Sequence, residues 1–208
     1  MFYFVGRKSK IFNVALMKLS LDFYLRKNVV LIAKQLLGKI LVTKIDGIIT
    51  SGMIVETEAY SYKEKGCHAF KGMTKRNEVM FSNGGIAYVY LCYGVHQMFN
   101  VVTNEKGKAE AVLIRALQPM QGIEMMMQRM KTDFTKRITS GPGKLTKALG
   151  IDRTLNGKEL SGNEIWIEDN TVKPKEIVSS ARIGIDYAGE DALLPWRFTI
   201  DENEWVSK

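Results

Sequence analysis

Two glutamates stand two positions apart in the stretch IVETEAY, which covers residues 54–60. If this stretch is a β-strand, Glu56, Glu58 and Tyr60 point to one face, with the residues between them on the other. Two carboxylates on one face could bind a divalent metal, or one could act as a general base while the other is structural. The spacing also leaves a third alternative, a solvated polar face with no chemical role.

Three tyrosines fall within the stretch YVYLCYG, at residues 88–94. Tyr88 and Tyr90 share one face of an extended chain, and such rings are common in β-sheet cores. Tyr93 directly precedes Gly94, between two β-rich segments where a hairpin turn is predicted. Because a ring at a hairpin tip has little core to enter, Tyr93 is a candidate for stacking on nucleobases or sliding between them.

Residues 140–144 read SGPGK, which superficially resembles a phosphate loop. The match fails because Ile138 occupies the position of the first glycine and Leu145 follows the lysine where Ser or Thr is required. The helix predicted to begin here still offers free backbone N–H groups and Lys144, which together can bind one backbone phosphate. An ordinary helix start is the alternative. His68 lies alone in a polar loop, where a surface or hydrogen-bonding residue is the default interpretation.

The charge of the chain is strongly asymmetric. The net charge is +8, with 24 Lys and Arg against 11 Asp and Glu in residues 1–153, and 6 against 11 in residues 154–208. This basic balance fits either a solvated face or a polyanionic partner. Two cysteines and two histidines in 208 residues suggest neither a disulfide framework nor a zinc site.

No apolar run approaches the roughly 20 residues of a membrane span. Residues 1–16 mix apolar and basic side chains unlike a signal peptide, and Met17 begins a more ordinary start, MKLSLDFY. We therefore expect residues 1–16 to be an N-terminal extension, either disordered or a start-site artefact, ahead of a domain over residues 17–208. A cytoplasmic location is expected.

The hydrophobic pattern predicts an α+β fold. Apolar residues recur with helical spacing over 25–37, and Gly38 is a plausible stop. Asp46-Gly47 predicts a tight hairpin between strands at 39–45 and 48–59. Further helices are predicted at 120–130 and after SGPG, and further short strands in AYVYLC, MFNVVT, EIWIED, RIGID and WRFTI. Together they predict a single compact domain with a curved, mainly antiparallel sheet, flanking helices and a protruding β-hairpin.

As an ordered set, these stretches resemble the alkyladenine DNA glycosylase family, also called 3-methyladenine or N-methylpurine DNA glycosylases. The resemblance covers nearly all of residues 20–207. It implies a monomer that binds duplex DNA from the minor groove, extrudes an alkylated purine and hydrolyses its N-glycosidic bond, leaving an abasic site. The matching segments are QLLGK, IVETEAY, His68, KRNEVMF, AYVYLCYGVHQMFNVVT, AVLIRALQPMQGIE, SGPGKLTKALGI, RIGI and PWRF.

The resemblance also implies roles for individual residues. Glu58 resembles the general base that activates the attacking water, and Arg115, in LIRAL, resembles the residue that helps to hold that water. Tyr93 resembles the wedge that fills the vacated space in the base stack. The implied base pocket consists of Tyr60, His68, Tyr90 and Asn100. The implied phosphate contacts are Lys144, Gly143 and Arg76, and no metal, cofactor or lysine Schiff base is implied.

The sequence departs from the family pattern in several loops. Lys75 and Gly84 stand where the family often has proline, and the segment 104–110 is longer and more basic. These differences leave the substrate breadth open: cationic alkylpurines alone, or also hypoxanthine and etheno adducts. Two rival functions also stay open, a metal-dependent nuclease using Glu56 and Glu58, and a non-catalytic nucleic-acid-binding module.

Overall fold

The computed structural model describes residues 17–169 and 173–207, so the expected extension over 1–16 lies outside the described residues. The strands are β1 (Met17–Lys18), β2 (Ile40–Ile45), β3 (Ile48–Ser61), β4 (Ala87–Cys92), β5 (His96–Thr103), β6 (Glu110–Gln121), β7 (Ile165–Asp169), β8 (Ile177–Ser180) and β9 (Arg197–Ile200). The helices are α1 (Leu21–Tyr24), α2 (Val29–Leu36), α3 (Ile123–Met130) and α4 (Pro142–Leu149).

These strands form one curled, antiparallel sheet in the order β1-β7-β2-β3-β6-β5-β4. Strand β9 pairs with both β3 and β8, beside the main path. The long strand β3 is therefore hydrogen-bonded to β2, β6 and β9. It is buried on both faces over residues 54–59, which explains how polar side chains come to lie in the interior there.

Local sequence signals explain where the first elements begin and end. Helix α2 begins after Asn28, whose side chain accepts a hydrogen bond from the Leu31 N–H at 2.9 Å. The predicted stop is confirmed, because Gly38 adopts a φ of 83° just beyond the helix. Asp46 and Gly47 both have positive φ, as a tight hairpin turn between β2 and β3 requires.

The hydrophobic core divides into a large and a small cluster. The large cluster lies between the sheet and helices α2 and α4, and it includes Leu36, Ala59 and Leu145, all fully buried. The small cluster packs Cys67, Met80, Val102 and neighbouring residues beneath several tyrosine rings. The large cluster holds the fold together, whereas the small one supports the rings described below.

One predicted strand is wrong. The segment RIGID, residues 182–186, is irregular, and a 3-10 helix over Asp186–Leu193 follows it. Gly184 has a φ of 76°, which a strand does not accommodate. Arg182 is buried and binds carboxylate and carbonyl groups of other segments, so polar contacts fix this part of the chain.

The predicted fold class is confirmed as α+β with a curled antiparallel sheet. The hairpin of β4 and β5 is present, and its turn places Tyr93 at the tip. Among residues 17–169 and 173–207, no helix is long and apolar enough to cross a membrane.

Candidate active site

An irregularity in the pairing of β3 and β6 brings two glutamates and an arginine together. Glu56 lies opposite Ala116, and the next pair of the ladder skips Arg115. Such a bulge redirects a side chain, and bulges are common beside active sites. Arg115 Nε donates a hydrogen bond to Glu56 Oε1 at 2.9 Å, and its Nη1 lies 3.4 Å from Glu58 Oε2.

Glu56 is fully buried, and its carboxylate is occupied by protein donors. Its Oε1 accepts hydrogen bonds from Arg115 Nε at 2.9 Å, Arg197 Nε at 2.7 Å and the Ser207 hydroxyl at 2.8 Å. Its Oε2 accepts one from the Ser207 N–H at 2.7 Å. Burial by itself raises the pKa of Glu56, but these hydrogen bonds and charges outweigh burial and lower the pKa below its usual value.

Glu58 is also fully buried, so a solvated polar face is wrong for this strand. Its Oε2 accepts a hydrogen bond from the Tyr60 hydroxyl at 2.8 Å, and its Oε1 accepts one from the Ile183 N–H at 2.8 Å. Tyr60, Ile183 and Arg115 line a cavity, whereas Glu58 does not. The carboxylate therefore lies one layer behind the cavity wall.

That cavity, of about 510 Å³, is lined by several aromatic side chains and is called the aromatic cavity below. The ring centroids of His68 and Tyr90 lie 4.6 Å apart at an interplanar angle of 68°. Tyr88 and Tyr90 lie 5.3 Å apart, and the Tyr88 hydroxyl is 3.1 Å from His68 Nδ1. The rings that line the cavity are Tyr60, His68, Tyr88, Tyr90, Tyr93 and Tyr187.

Two rings of the aromatic cavity, His68 and Tyr60, are held in their neutral forms. His68 keeps one side exposed, but burial of the remainder lowers its pKa, and the nearby charge of Arg76 lowers it further. Burial and the neighbouring Glu58 raise the pKa of Tyr60 well above its usual value. Neutral, electron-rich rings attract cations on their faces, so this lining suits a positively charged guest.

Two further residues, Asn100 and Arg182, hold the cavity walls in place. Asn100 is buried against the cavity, and its side-chain amide donates a hydrogen bond to the Tyr88 carbonyl at 3.2 Å. The Arg182 guanidinium lies 4.8 Å from the centroid of the Tyr60 ring. Arg182 also binds Glu64 through two hydrogen bonds of 2.8 Å, which ties the Tyr60 strand to the loop that carries His68.

Tyr93 is 87% exposed at the tip of the β4–β5 hairpin, at the edge of the aromatic cavity. Tyr93 and Gly94 have φ values of 49° and 71°, as in a type I′ turn, and the Val95 N–H donates to the Cys92 carbonyl. A core position is therefore wrong for Tyr93, whereas it is correct for Tyr88, which is 1% exposed.

The beginning of α4 abuts the hairpin and the cavity. A Cβ added to Gly143 would lie 2.9 Å from Cγ of His96, so glycine allows the helix to approach strand β5 closely. Pro142 and Arg76 line the aromatic cavity, and Arg76 is exposed. Lys144 is exposed on the first turn of α4 and does not line the cavity.

The sequence reasoning missed several residues that the structure places at this site. These include Arg197 and Ser207 at Glu56, the Ile183 N–H at Glu58, and Tyr187 in the cavity wall. Only the motifs RIGI and PWRF pointed to these regions, and they carried no predicted role. Within the described residues, no group of three or more His, Cys, Asp or Glu side chains could hold a metal ion.

The chain is similar to known proteins over most of its length. Residues 22–204 match the sequence profile of the family described as Methylpurine-DNA glycosylase (MPG). A relative from Methanocella arvoryzae, provisionally named 3-methyladenine DNA glycosylase, is 48% identical over 190 residues, which are 90% of this chain and 94% of the relative. A relative with the same name from Carboxydothermus hydrogenoformans is 47% identical, and the match covers 92% of this chain and 100% of the relative. Another from Desulfitobacterium hafniense is 42% identical, and the match covers 91% of this chain and 98% of the relative.

Proposed function

The chain belongs to the methylpurine-DNA glycosylase family, and we propose that it acts as a monomer that extrudes alkylated purines from duplex DNA into the aromatic cavity and hydrolyses their N-glycosidic bonds. The observation that carries this proposal is the cavity itself, whose aromatic lining adjoins the buried Glu58–Arg115 pair. The 510 Å³ volume lies within the range of small-molecule pockets, which suits one purine and its sugar.

Extrusion exposes the glycosidic bond, which a stacked duplex hides. It costs a few kcal/mol, and less for a base that already pairs badly. Tyr93 supports this step because its exposed ring stands on a protruding turn beside the cavity. Stacking of a base on an aromatic side chain contributes about 1–3 kcal/mol, so a tyrosine wedge offsets part of the cost.

The lining of the cavity favours purines that carry a positive charge. Alkylation at N3 or N7 makes the base cationic and a good leaving group. The rings of Tyr60, His68 and Tyr90 would attract such a cation by about 0.5–2 kcal/mol per contact. Asn100 would discriminate among purines from the cavity wall. A good leaving group needs little acid assistance, so the chemistry requires neither a metal nor a lysine nucleophile.

Glu58 would act as the base that deprotonates the attacking water and stabilises positive charge on the sugar. Glu58 Oε2 already accepts a hydrogen bond from the Tyr60 hydroxyl in the free protein, and a remaining lone pair of the carboxylate would accept one from the water. Arg115, 3.4 Å from the same oxygen, would help to hold the water.

Contacts to the DNA backbone would set the position of the duplex without reading its sequence. Lys144 and the N–H of Gly143 lie on the first turn of α4, where the helix dipole also favours a phosphate. Arg76, exposed at the aromatic cavity, would contact a phosphate close to the extruded nucleotide.

Replacement of Glu58 by glutamine tests the mechanism. Glu58→Gln should reduce the release of methylpurines by several orders of magnitude and leave the affinity for lesion-containing duplex nearly unchanged, because the amide keeps the shape of the carboxylate but is no base. The measurement is abasic-site formation in a panel of duplexes, each with one defined lesion, in the presence of a chelator.

The matched control is Glu110→Gln, which changes a buried, hydrogen-bonded glutamate that does not line the cavity. If Glu58→Gln excises methylpurines at the same rate as the control, Glu58 is not the base that activates the water. The same assay separates the rival functions. A metal-dependent nuclease stops in chelator, and a binding module releases no methylpurine at all.

A further inference from the structure

A second cavity, of about 490 Å³, adjoins the aromatic cavity. The two cavities share the lining residues His68, Arg76 and Tyr187, so these three side chains form a common wall. A ligand that extends across these three side chains would occupy part of both cavities. The second cavity is called the basic cavity below, and its other lining residues are Lys65, Cys67, Phe70, Lys71, Gly72, Thr74 and Asn77.

The loop that forms the basic cavity has a fixed shape. Asn77 is 2% exposed, and its side-chain amide donates hydrogen bonds to the carbonyls of His68 at 2.8 Å and Gly72 at 3.0 Å. Its Oδ1 accepts a hydrogen bond from the Thr74 N–H at 2.6 Å. A single buried amide thus ties three points of the loop together, so the cavity exists before any ligand binds.

The lining of the basic cavity is positively charged. Lys65, Lys71 and Arg76 contribute cationic groups, and no Asp or Glu belongs to the lining. All three cations are exposed, and the ion pairs of the described residues include neither Lys65 nor Lys71. The aromatic cavity shares Arg76 with the basic cavity, but the charge of its other arginine, Arg115, is compensated by Glu56 and Glu58.

The proposed function places an anion beside this cavity. An extruded nucleotide stays attached to the strand on both sides, so a phosphodiester must leave the aromatic cavity across its rim. We propose that the basic cavity binds a phosphodiester of the damaged strand next to the extruded nucleotide, with Lys65 and Lys71 as its cationic contacts. This proposal rests on the proposed function. Binding of the phosphodiester would anchor the damaged strand while the base occupies the aromatic cavity.

The test pairs protein variants with DNA in which single phosphates are neutral. The double variant Lys65→Ala/Lys71→Ala should bind lesion-containing duplex about tenfold more weakly, with a salt dependence reduced by about one phosphate contact. A methylphosphonate at the contacted position should weaken DNA binding by the wild-type protein by a similar factor. It should not weaken DNA binding by the double variant further. Such non-additive losses identify a direct contact.

The matched control is Lys106→Ala/Lys136→Ala, which removes two exposed lysines that line neither cavity. Equal thermal unfolding of all variants shows that the fold is intact. The proposal would be overturned if, at every phosphate near the lesion, the methylphosphonate and the double substitution reduced the affinity additively. It would also be overturned if the control variant lost as much affinity as the double variant. Wild-type excision in the same duplexes is measured in parallel, so a failure of the proposed function is seen separately as absence of released base.

Discussion

At the scale of single residues, two glutamates of one strand differ because their surroundings differ. Glu56 accepts four hydrogen bonds from Arg115, Arg197 and Ser207, so its observed contacts are structural. Glu58 contacts Tyr60 and Arg115, which both face the aromatic cavity. The spacing in IVETEAY could not separate these roles, because the partners come from distant parts of the chain.

The protonation state of His68 should control the preference for charged lesions. Burial and Arg76 lower its pKa, so the ring stays neutral at pH 7 and becomes cationic only below its ordinary range. A protonated ring repels a cationic purine. Binding of 7-methylguanine duplex should therefore weaken as the pH falls through the lowered pKa, whereas binding of a neutral hypoxanthine duplex should change less.

The control for this pH dependence is His68→Phe, which retains a ring but does not titrate. The difference between the two lesions should then lose its pH dependence below the ordinary histidine range. If the pH profiles of binding coincide for the wild-type protein and the variant, protonation of His68 does not affect the preference for charged bases.

At the scale of elements, the β4–β5 hairpin presents Tyr93 without support from the core. Tyr93→Ala should reduce the affinity for lesion-containing duplex by about 1–3 kcal/mol, because the lost ring no longer stacks. The melting temperature should stay nearly unchanged, since Tyr93 is 87% exposed. Equilibrium binding and thermal unfolding of the same preparations check both statements.

Leu193→Ala is the matched control, because Leu193 is also an exposed apolar residue, at 76%, and it lines neither cavity. A Tyr93→Ala variant that loses stability in proportion to its affinity would mean that the ring supports the fold instead.

Local signals predicted most elements, since periodicity and turn residues act over a few neighbours. Helix α2, the Asp46-Gly47 turn and the hairpin tip were all predicted in this way. The bulge that redirects Arg115 was not predicted, because a bulge depends on the register of two strands far apart in sequence. The segment 182–186 alternates like a strand, but buried polar contacts override that pattern.

At the scale of the whole molecule, Glu56 joins strand β3 to β6, β9 and Ser207 through hydrogen bonds. Glu56→Gln should lower the free energy of unfolding by about 3–5 kcal/mol, because Arg115 and Arg197 would lose their buried counter-charge. The folded-state pKa is lowered, so this stabilisation is present above the ordinary carboxyl range and disappears as the pH falls through the lowered pKa. Denaturant unfolding at several pH values measures the difference.

Glu105→Gln is the control, because Glu105 pairs with Lys27 at 3.5 Å on the surface, where both side chains are largely exposed. An exposed pair of this kind contributes about 0–1 kcal/mol. Similar losses for both substitutions would show that the Glu56 cluster does not hold the fold together.

The Glu56 cluster also has a consequence for the order of events during synthesis. A nascent chain that has emerged from the ribosome only to residue 190 already contains Glu56 and Arg115 but still lacks Arg197 and Ser207. Its buried carboxylate then has one arginine partner instead of two and no hydrogen bond from Ser207, so strands β3 and β6 dock with a charged group incompletely satisfied. The set of hydrogen bonds around Glu56, behind the aromatic cavity, is therefore complete only after Arg197 and Ser207 have been synthesised.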